Sequence, residues 1–279
     1  LSFLHHGQTT ILAQDDTPLT QWNLENACIV HSWKHNHRPI ATVSMTPDSL
    51  YILTGSWDGT ATLWDINSPA PIHTYVIDDT WIQSVFIHPN GTFALCGSKK
   101  GKVQYINLTT NETITLQESA NFPITHVHIT SKDELLAIHV DGTIHIWTTP
   151  ESEPKKFRPF SRKVNAFDIS PNGQTAIFST RNEEIYEVDL QNGKIINKFY
   201  HPEEVLCALH YINQQYFLSI SQCCSLRLWE RETDFSLEQT NLHERRITKA
   251  IFSADSCALL TSTDSKEIKL WDIYYTYED

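Results

Sequence analysis

Short apolar alternations separated by turn residues run along this chain from one end to the other, and no segment keeps a helical period. Runs such as Ile40-Ala41-Thr42-Val43-Ser44-Met45 and Val164-Asn165-Ala166-Phe167-Asp168-Ile169 place apolar side chains on alternate positions, as half-buried strands do. Turn signals follow at Pro47-Asp48, Pro89-Asn90-Gly91 and Pro171-Asn172-Gly173, with weaker versions at Ser131-Lys132-Asp133 and Ala254-Asp255. A second short strand comes next (Tyr51-Ile52-Leu53-Thr54, Phe93-Ala94-Leu95-Cys96, Tyr216-Phe217-Leu218-Ser219), and then a tight turn such as Asp58-Gly59, Lys100-Gly101 or Asp141-Gly142. A third strand carries a tryptophan in most units, and a fourth, such as Pro71-Ile72-His73-Thr74-Tyr75-Val76, closes the pattern. Strands of this length joined by hairpin turns predict four-stranded antiparallel sheets.

The pattern has a period. The tetrads Gln21-Trp22-Asn23-Leu24, Leu63-Trp64-Asp65-Ile66, Tyr105-Ile106-Asn107-Leu108, Ile146-Trp147-Thr148-Thr149, Glu187-Val188-Asp189-Leu190, Leu228-Trp229-Glu230-Arg231 and Leu270-Trp271-Asp272-Ile273 align. Their second positions are separated by 42, 42, 41, 41, 41 and 42 residues. Seven units follow, at about residues 1-33, 34-76, 77-117, 118-158, 159-199, 200-240 and 241-279 of one domain.

The segment Gly55-Ser56-Trp57-Asp58-Gly59-Thr60-Ala61-Thr62-Leu63-Trp64-Asp65 resembles the WD40 repeat, and nearly the whole chain is similar to a seven-bladed WD40 β-propeller. The motif is full in the second unit and clear in the seventh; the third and fifth replace the tryptophan by Ile106 and Val188. The resemblance implies an all-β fold of seven four-stranded antiparallel sheets, each too small to bury both its faces unless it stacks on a neighbour. It also implies hydrogen-bonded tetrads of His, Ser or Thr, Asp and Trp. The seventh unit offers His243, Thr261 or Ser262, Asp264 and Trp271; the second offers His35 or His37, Thr54 or Ser56, Asp58 and Trp64. The sixth has His201 and Trp229 but Cys223 in the acid's place, and the fourth has Asp141 and Trp147 without a suitable histidine. Leu1 aligns midway along a first strand, and Tyr274 to Glu278 can form the last outer strand, so we expect this chain to be a piece of a longer protein.

Composition narrows the function. The 21 Lys and Arg against 33 Asp and Glu leave a net charge of -12, which disfavours nucleic acid as a partner. No apolar run reaches the ~18 residues of a spanning helix, so no membrane span is expected. Six cysteines without a C-x-x-C pair read as reduced, mostly buried thiols, and with no secretory signal in view an intracellular, cytoplasmic setting is expected. The glycosylation-type triplets at Asn90, Asn107 and Asn111 then read as unmodified. His5-His6, His35-Asn36-His37, Asp15-Asp16 and Asp78-Asp79 suggest metal or acid–base chemistry, but each is better read as a turn or a tetrad member. No G-x-S-x-G, H-E-x-x-H or phosphate-cradling glycine loop occurs, so we expect neither enzyme, cofactor nor metal.

What remains is presentation of loops. In the resembled family the top face is formed by the loops entering strand one and those joining strands two and three. Those loops here hold Trp57, Trp81, Phe160, Arg162, Arg181, Arg38, Arg245 and Arg246, residue types that dominate binding hot spots. Trp57 is expected to be exposed, while Trp81 and Phe160 could equally be packing residues. The expected function is a non-catalytic protein–protein interaction scaffold, a subunit or domain of a larger complex. The alternatives are recognition of a phosphorylated or acidic segment by the arginines, capture of methyl-lysine in an aromatic cage, and, ranked below both, a propeller enzyme with a metal at the channel mouth. No Trp-Asp-x-Arg follows any anchor, which weighs against a ubiquitin-ligase adaptor.

Overall fold

A computed structural model describes residues 2–3, 9–12, 18–33, 38–46, 48–118, 120–181, 184–201, 205–233, 236–239, 242–253, 256–265 and 267–273. These residues are all strand, turn and loop, with no helix among them. They form seven antiparallel sheets, six of four strands and a last one of three, each built from consecutive strands; this is the element pattern of a seven-bladed β-propeller. The outer strand expected from Tyr274 to Glu278 lies outside the described residues, as do His5, His6, Asp15, Asp16, His35 and His37.

Two compact units divide the chain at Arg158 and Pro159. The first holds sheets spanning Ser2–Trp33, Ile40–Val76, Ile82–Gln117 and Ile124–Phe157; the second holds Val164–Tyr200, Leu206–Gln239 and Ile247–Asp272. Burial within a sheet is graded. Second strands such as Tyr51–Ser56 and Leu135–His139 are buried almost throughout, because both their faces meet other side chains. Fourth strands such as Pro71–Val76 are exposed except at single positions. That gradient corrects one expectation: Cys28, flanked by Ala27 and Ile29, is exposed because it starts a fourth strand, and Cys223 and Cys257 are exposed in turns. None of the six cysteines is in a disulfide.

The core lies between neighbouring sheets. In the first unit, Ile11, Leu19 and Trp33 pack with Ile40, Ile52 and Trp64, and Leu53, Leu63 and Tyr75 pack with Ile82, Val85 and Ile106. In the second, Ile177, Ile185 and Phe199 meet Leu206, Phe217 and Trp229. First strands of adjacent sheets are also joined by side chain to backbone bonds. Ile87 N donates to Ser44 Oγ at 3.0 Å, Val127 N to Ser84 Oγ at 3.1 Å, and Tyr211 N to Asp168 Oδ2 at 2.7 Å. These bonds give partners to strand edges that would otherwise be open.

Candidate functional site

One surface groove of the first unit grows from a single glycine. Gly59 follows Asp58 in the turn between the second and third strands of the second sheet, with φ at +86°. Its carbonyl accepts Ile77 N at 3.0 Å and Asp78 N at 3.2 Å, and an added Cβ would lie 2.0 Å from Asp78 O. Only a residue without a side chain permits that approach. It draws the 77–81 loop, which enters the third sheet, against the turn that carries Trp57.

The two tryptophans then meet face to face. Trp57 and Trp81 stack with ring centroids 4.2 Å apart and planes 7° from parallel. Trp57 is fixed by its own N–H donating to Pro39 O at 3.0 Å, and Lys99 N donates to Trp81 O at 2.9 Å. Lys99 Nζ sits 4.0 Å from the Trp81 centroid. Since Trp57 covers one face of that ring, the ammonium lies over the other. Lys100 Nζ meets both carboxylate oxygens of Asp79 at 2.6 and 2.7 Å; the lysine holds Asp79 below the usual carboxylate range, and Asp79 raises Lys100 in return. Asp58 is engaged by its own turn, where Thr60 N and Thr60 Oγ1 donate to Oδ1 at 2.9 and 2.6 Å. With Arg38 and Thr80 these residues line a groove of about 710 Å³. Trp57 is half-buried by the stack rather than exposed as expected, and Trp81 is 37% exposed.

Of the expected binding residues, Arg38, Trp57 and Trp81 share this groove. Phe160 is not at the surface; of its two expected roles it takes packing, being buried, stacked on Tyr186 at 5.0 Å and packed against Phe178 at 5.5 Å. It lies four residues ahead of its first strand, the place His243 holds in the last sheet, so an aromatic side chain fills a tetrad position there. Arg162, Arg181, Arg245 and Arg246 are exposed in the second unit. The Arg246 guanidinium is already engaged: its Nε donates to Gln222 Oε1 at 2.9 Å, and Nη2 donates to the same oxygen.

Around the tetrad positions the structure selects among the alternatives. His243 Nε2 and Trp271 Nε1 converge on Thr261 Oγ1 at 2.6 and 2.8 Å. The acid facing His243 is Glu267, whose Oε2 lies 3.1 Å from Nδ1, whereas Asp264 is exposed. Glu267 is held below its ordinary range chiefly by that histidine. In the second sheet Trp64 Nε1 donates to Thr54 Oγ1 at 3.1 Å, and in the sixth Trp229 Nε1 donates to Ser219 Oγ at 2.8 Å despite Cys223. Asp58, spent on Thr60, is exposed rather than inward.

One cluster has the order of a hydrolytic triad. His210 Nδ1 is 3.3 Å from Asp168 Oδ2, and its Nε2 is 2.8 Å from Ser256 Oγ. Its surroundings mark it as a lock between strands. Asp168 makes with Tyr211 N the bond that Ser44 makes with Ile87 N. Ser256, buried with φ at +60°, fills the turn position that Ser49 and Asp133 occupy with φ at 60° and 63°. Asp133 there meets His88 Nε2 of the preceding sheet at 2.9 Å, as Ser256 meets His210.

Reading along the chain missed Lys99, Lys100 and Asp79 as groove residues. The repeat itself held the signal, because residues 39 and 57, like 81 and 99, are 18 apart and are joined by the same backbone bond.

Comparison with known proteins agrees with this reading of the repeats. The family model "WD domain, G-beta repeat" matches residues 28–65. A Schistosoma mansoni protein, "WD repeat-containing protein SL1-17", is 21% identical over 68% of this chain and 64% of its own length. The Arabidopsis thaliana "WD repeat-containing protein 26 homolog" is 17% identical over 98% of this chain and 48% of its own. The Drosophila melanogaster "Small ribosomal subunit protein RACK1" is 21% identical over 95% of this chain and 89% of its own. The chain thus spans less than two thirds of the first two of these relatives.

Proposed function

The chain belongs to the WD40-repeat β-propeller family, and from that premise we propose that it is a non-catalytic interaction scaffold. On this reading it docks a peptide segment of a protein partner in the groove of Arg38, Trp57, Trp81 and Lys99. The observation that carries the reading is the tryptophan pair. Aromatic surface of this size, left at the mouth of a groove by three converging loops, is the material of a binding hot spot. The name of the Drosophila relative sets that protein in the small ribosomal subunit, which supports a place for this chain in a multiprotein assembly inside the cell. The His210 cluster supports no catalytic alternative, because each of its polar groups already serves a contact between strands.

The methyl-lysine alternative loses support from the stack itself. A cage must leave an aromatic face open to the ammonium, and Trp81 has Trp57 on one face and the protein's own Lys99 on the other.

The test is selection of binding peptides from a randomised display library with the intact chain as bait. The expected result is a set of binders lost on Trp57→Ala and on Trp81→Ala while both variants keep cooperative unfolding. Binders that ignore both substitutions would place the docking surface elsewhere.

A further inference from the structure

We propose that the occupant of this groove is an acidic peptide segment, held by a carboxylate or phosphate group on Arg38 and Lys99 beside the tryptophan stack. The proposal rests on the docking reading above and specifies its chemistry.

The charges lining the groove are unevenly answered. Lys100 is paired with Asp79, and Asp58, hydrogen-bonded by the neutral Thr60, keeps its negative charge at one wall of the groove. Among the described residues, no carboxylate lies within ion-pairing distance of Arg38 or Lys99. Lys99 instead rests its ammonium on the face of Trp81, a weaker partner than a carboxylate, and Arg38 is exposed at the rim. The described lining thus carries three cations (Arg38, Lys99, Lys100) against two carboxylates (Asp58, Asp79), a local positive excess beside aromatic surface in a chain of net charge -12. At physiological salt the long-range repulsion from that net charge is screened within roughly 8 Å, so a bound anionic group responds chiefly to the local pair.

Other ligand chemistries fit less well. A basic side chain would compete with Lys99 for a face that Lys99 already covers, next to a second cation. A nucleobase stacking on Trp81 would have to displace the Lys99 ammonium from that ring. A strand of phosphates would also run out over an acidic protein. A short peptide that offers one or two anionic groups, with its apolar side chains against the tryptophans, uses every feature present. Phosphate carries more charge than carboxylate, and either group can take two donors from the arginine at once.

The experiment measures fluorescence anisotropy of labelled peptides with the full chain. One set carries glutamate, a second carries phosphoserine at the same positions, a third carries lysine, and the fourth probe is a single-stranded RNA oligonucleotide. We expect the glutamate or phosphoserine set to bind and to weaken as salt rises. Arg38→Ala and Lys99→Ala should each cost about tenfold in affinity, Arg38→Lys should recover part of the loss, and Lys132→Ala should change nothing. Equal binding of the two acidic sets identifies carboxylate as the source; preference for phosphoserine identifies phosphate. Binding by any of the peptide sets that needs Trp57 but ignores Arg38→Ala and Lys99→Ala would overturn this proposal and leave the docking site standing. RNA binding abolished by Trp57→Ala would also overturn it. Independence from both tryptophans would remove the docking site itself.

Discussion

Residues 57 and 81 in the first unit and residues 222 and 246 in the second occupy matching places in the repeat. Each pair is 24 residues apart (81 - 57 and 246 - 222), and the backbone bonds agree: Lys99 N donates to Trp81 O at 2.9 Å, and Asp264 N to Arg246 O at 3.2 Å. One pair is two stacked indoles with a lysine ammonium on the far face; the other is an arginine that donates to a glutamine amide oxygen. The same backbone thus supports two opposite outcomes. Arg246 has a partner inside the fold, so its exposure alone does not make it a recognition residue. Arg38 and Lys99 sit beside aromatic surface with no ion-pair partner among the described residues. Whether the fold has already answered a charge separates the two regions better than residue type does.

A more buried case in the second unit sets the largest expected effect. Glu187 is fully buried, and Arg231 Nη2 reaches its Oε1; Tyr211 Oη donates to the same oxygen at 3.3 Å, and Asn197 Nδ2 donates to Oε2 at 3.1 Å. Burial and the adjacent Glu187 carboxylate push the Tyr211 hydroxyl far above its ordinary value. Arg231→Met leaves a buried carboxylate without its cation and should cost about 3–5 kcal/mol in chemical denaturation. Arg231→Met combined with Glu187→Leu should recover much of that loss. A single variant as stable as wild type would show that the charges in this region are not answered internally.

Gly59→Ala tests how the groove is built. The substitution forces a side chain into a left-handed backbone against Asp78 O, with an expected loss on the order of 3 kcal/mol. Ser49 and Ser256 already hold φ near 60° without glycine, so strain in φ alone is tolerable in this fold, and the close approach is the decisive part. A stable Gly59→Ala with an intact Trp57–Trp81 stack would refute the construction given above.

Acid should act next, and within the fourth sheet. His145 is held down to about 4, first by burial and then by the nearby His139 and Lys156, and His139 is also lowered by burial. Their rings are 4.7 Å apart, and His145 Nδ1 lies 2.6 Å from Gln117 Oε1. Both histidines are neutral in the fold, whereas in the unfolded chain each takes a proton near its ordinary value. Stability is therefore full above about pH 6.5 and falls as the pH drops toward 4, by on the order of 2 kcal/mol. His145→Gln should flatten that slope in melts recorded across this range; an unchanged slope would put the acid sensitivity elsewhere.

Much of this molecule was legible in the sequence, and the remainder failed for one physical reason. Periodic anchors at Trp22, Trp64, Trp147, Trp229 and Trp271, with Ile106 and Val188 between them, located every sheet, because strand alternation and turn chemistry are local. The stack of Trp57 on Trp81, the Glu187–Arg231 pair and the burial of Phe160 depend on side chains reaching between sheets or under loops. There, spacing says which residues are near but not which way they turn. His243 shows the limit well: the acid that meets it is Glu267, three residues beyond the expected Asp264, although both carboxylates are exposed.

The smallest effect is also the sharpest measure of the opening comparison. Two double-mutant cycles on stability isolate the coupling in each pair. The Trp57–Trp81 cycle, taken through Trp57→Ala and Trp81→Ala, should give about 0.5–1.5 kcal/mol, the worth of a stacked aromatic pair beyond its buried area. The Gln222–Arg246 cycle, taken through Gln222→Ala and Arg246→Ala, should give under about 1 kcal/mol, because both partners are solvent-facing and water replaces the lost bonds. The peptide measurements separate the pairs further: Arg246→Ala should leave binding unchanged, while Trp81→Ala abolishes it. A larger coupling in the arginine pair, or peptide binding that depends on Arg246, would mean that the second unit carries the recognition surface and that the tryptophan stack serves only to hold two loops together.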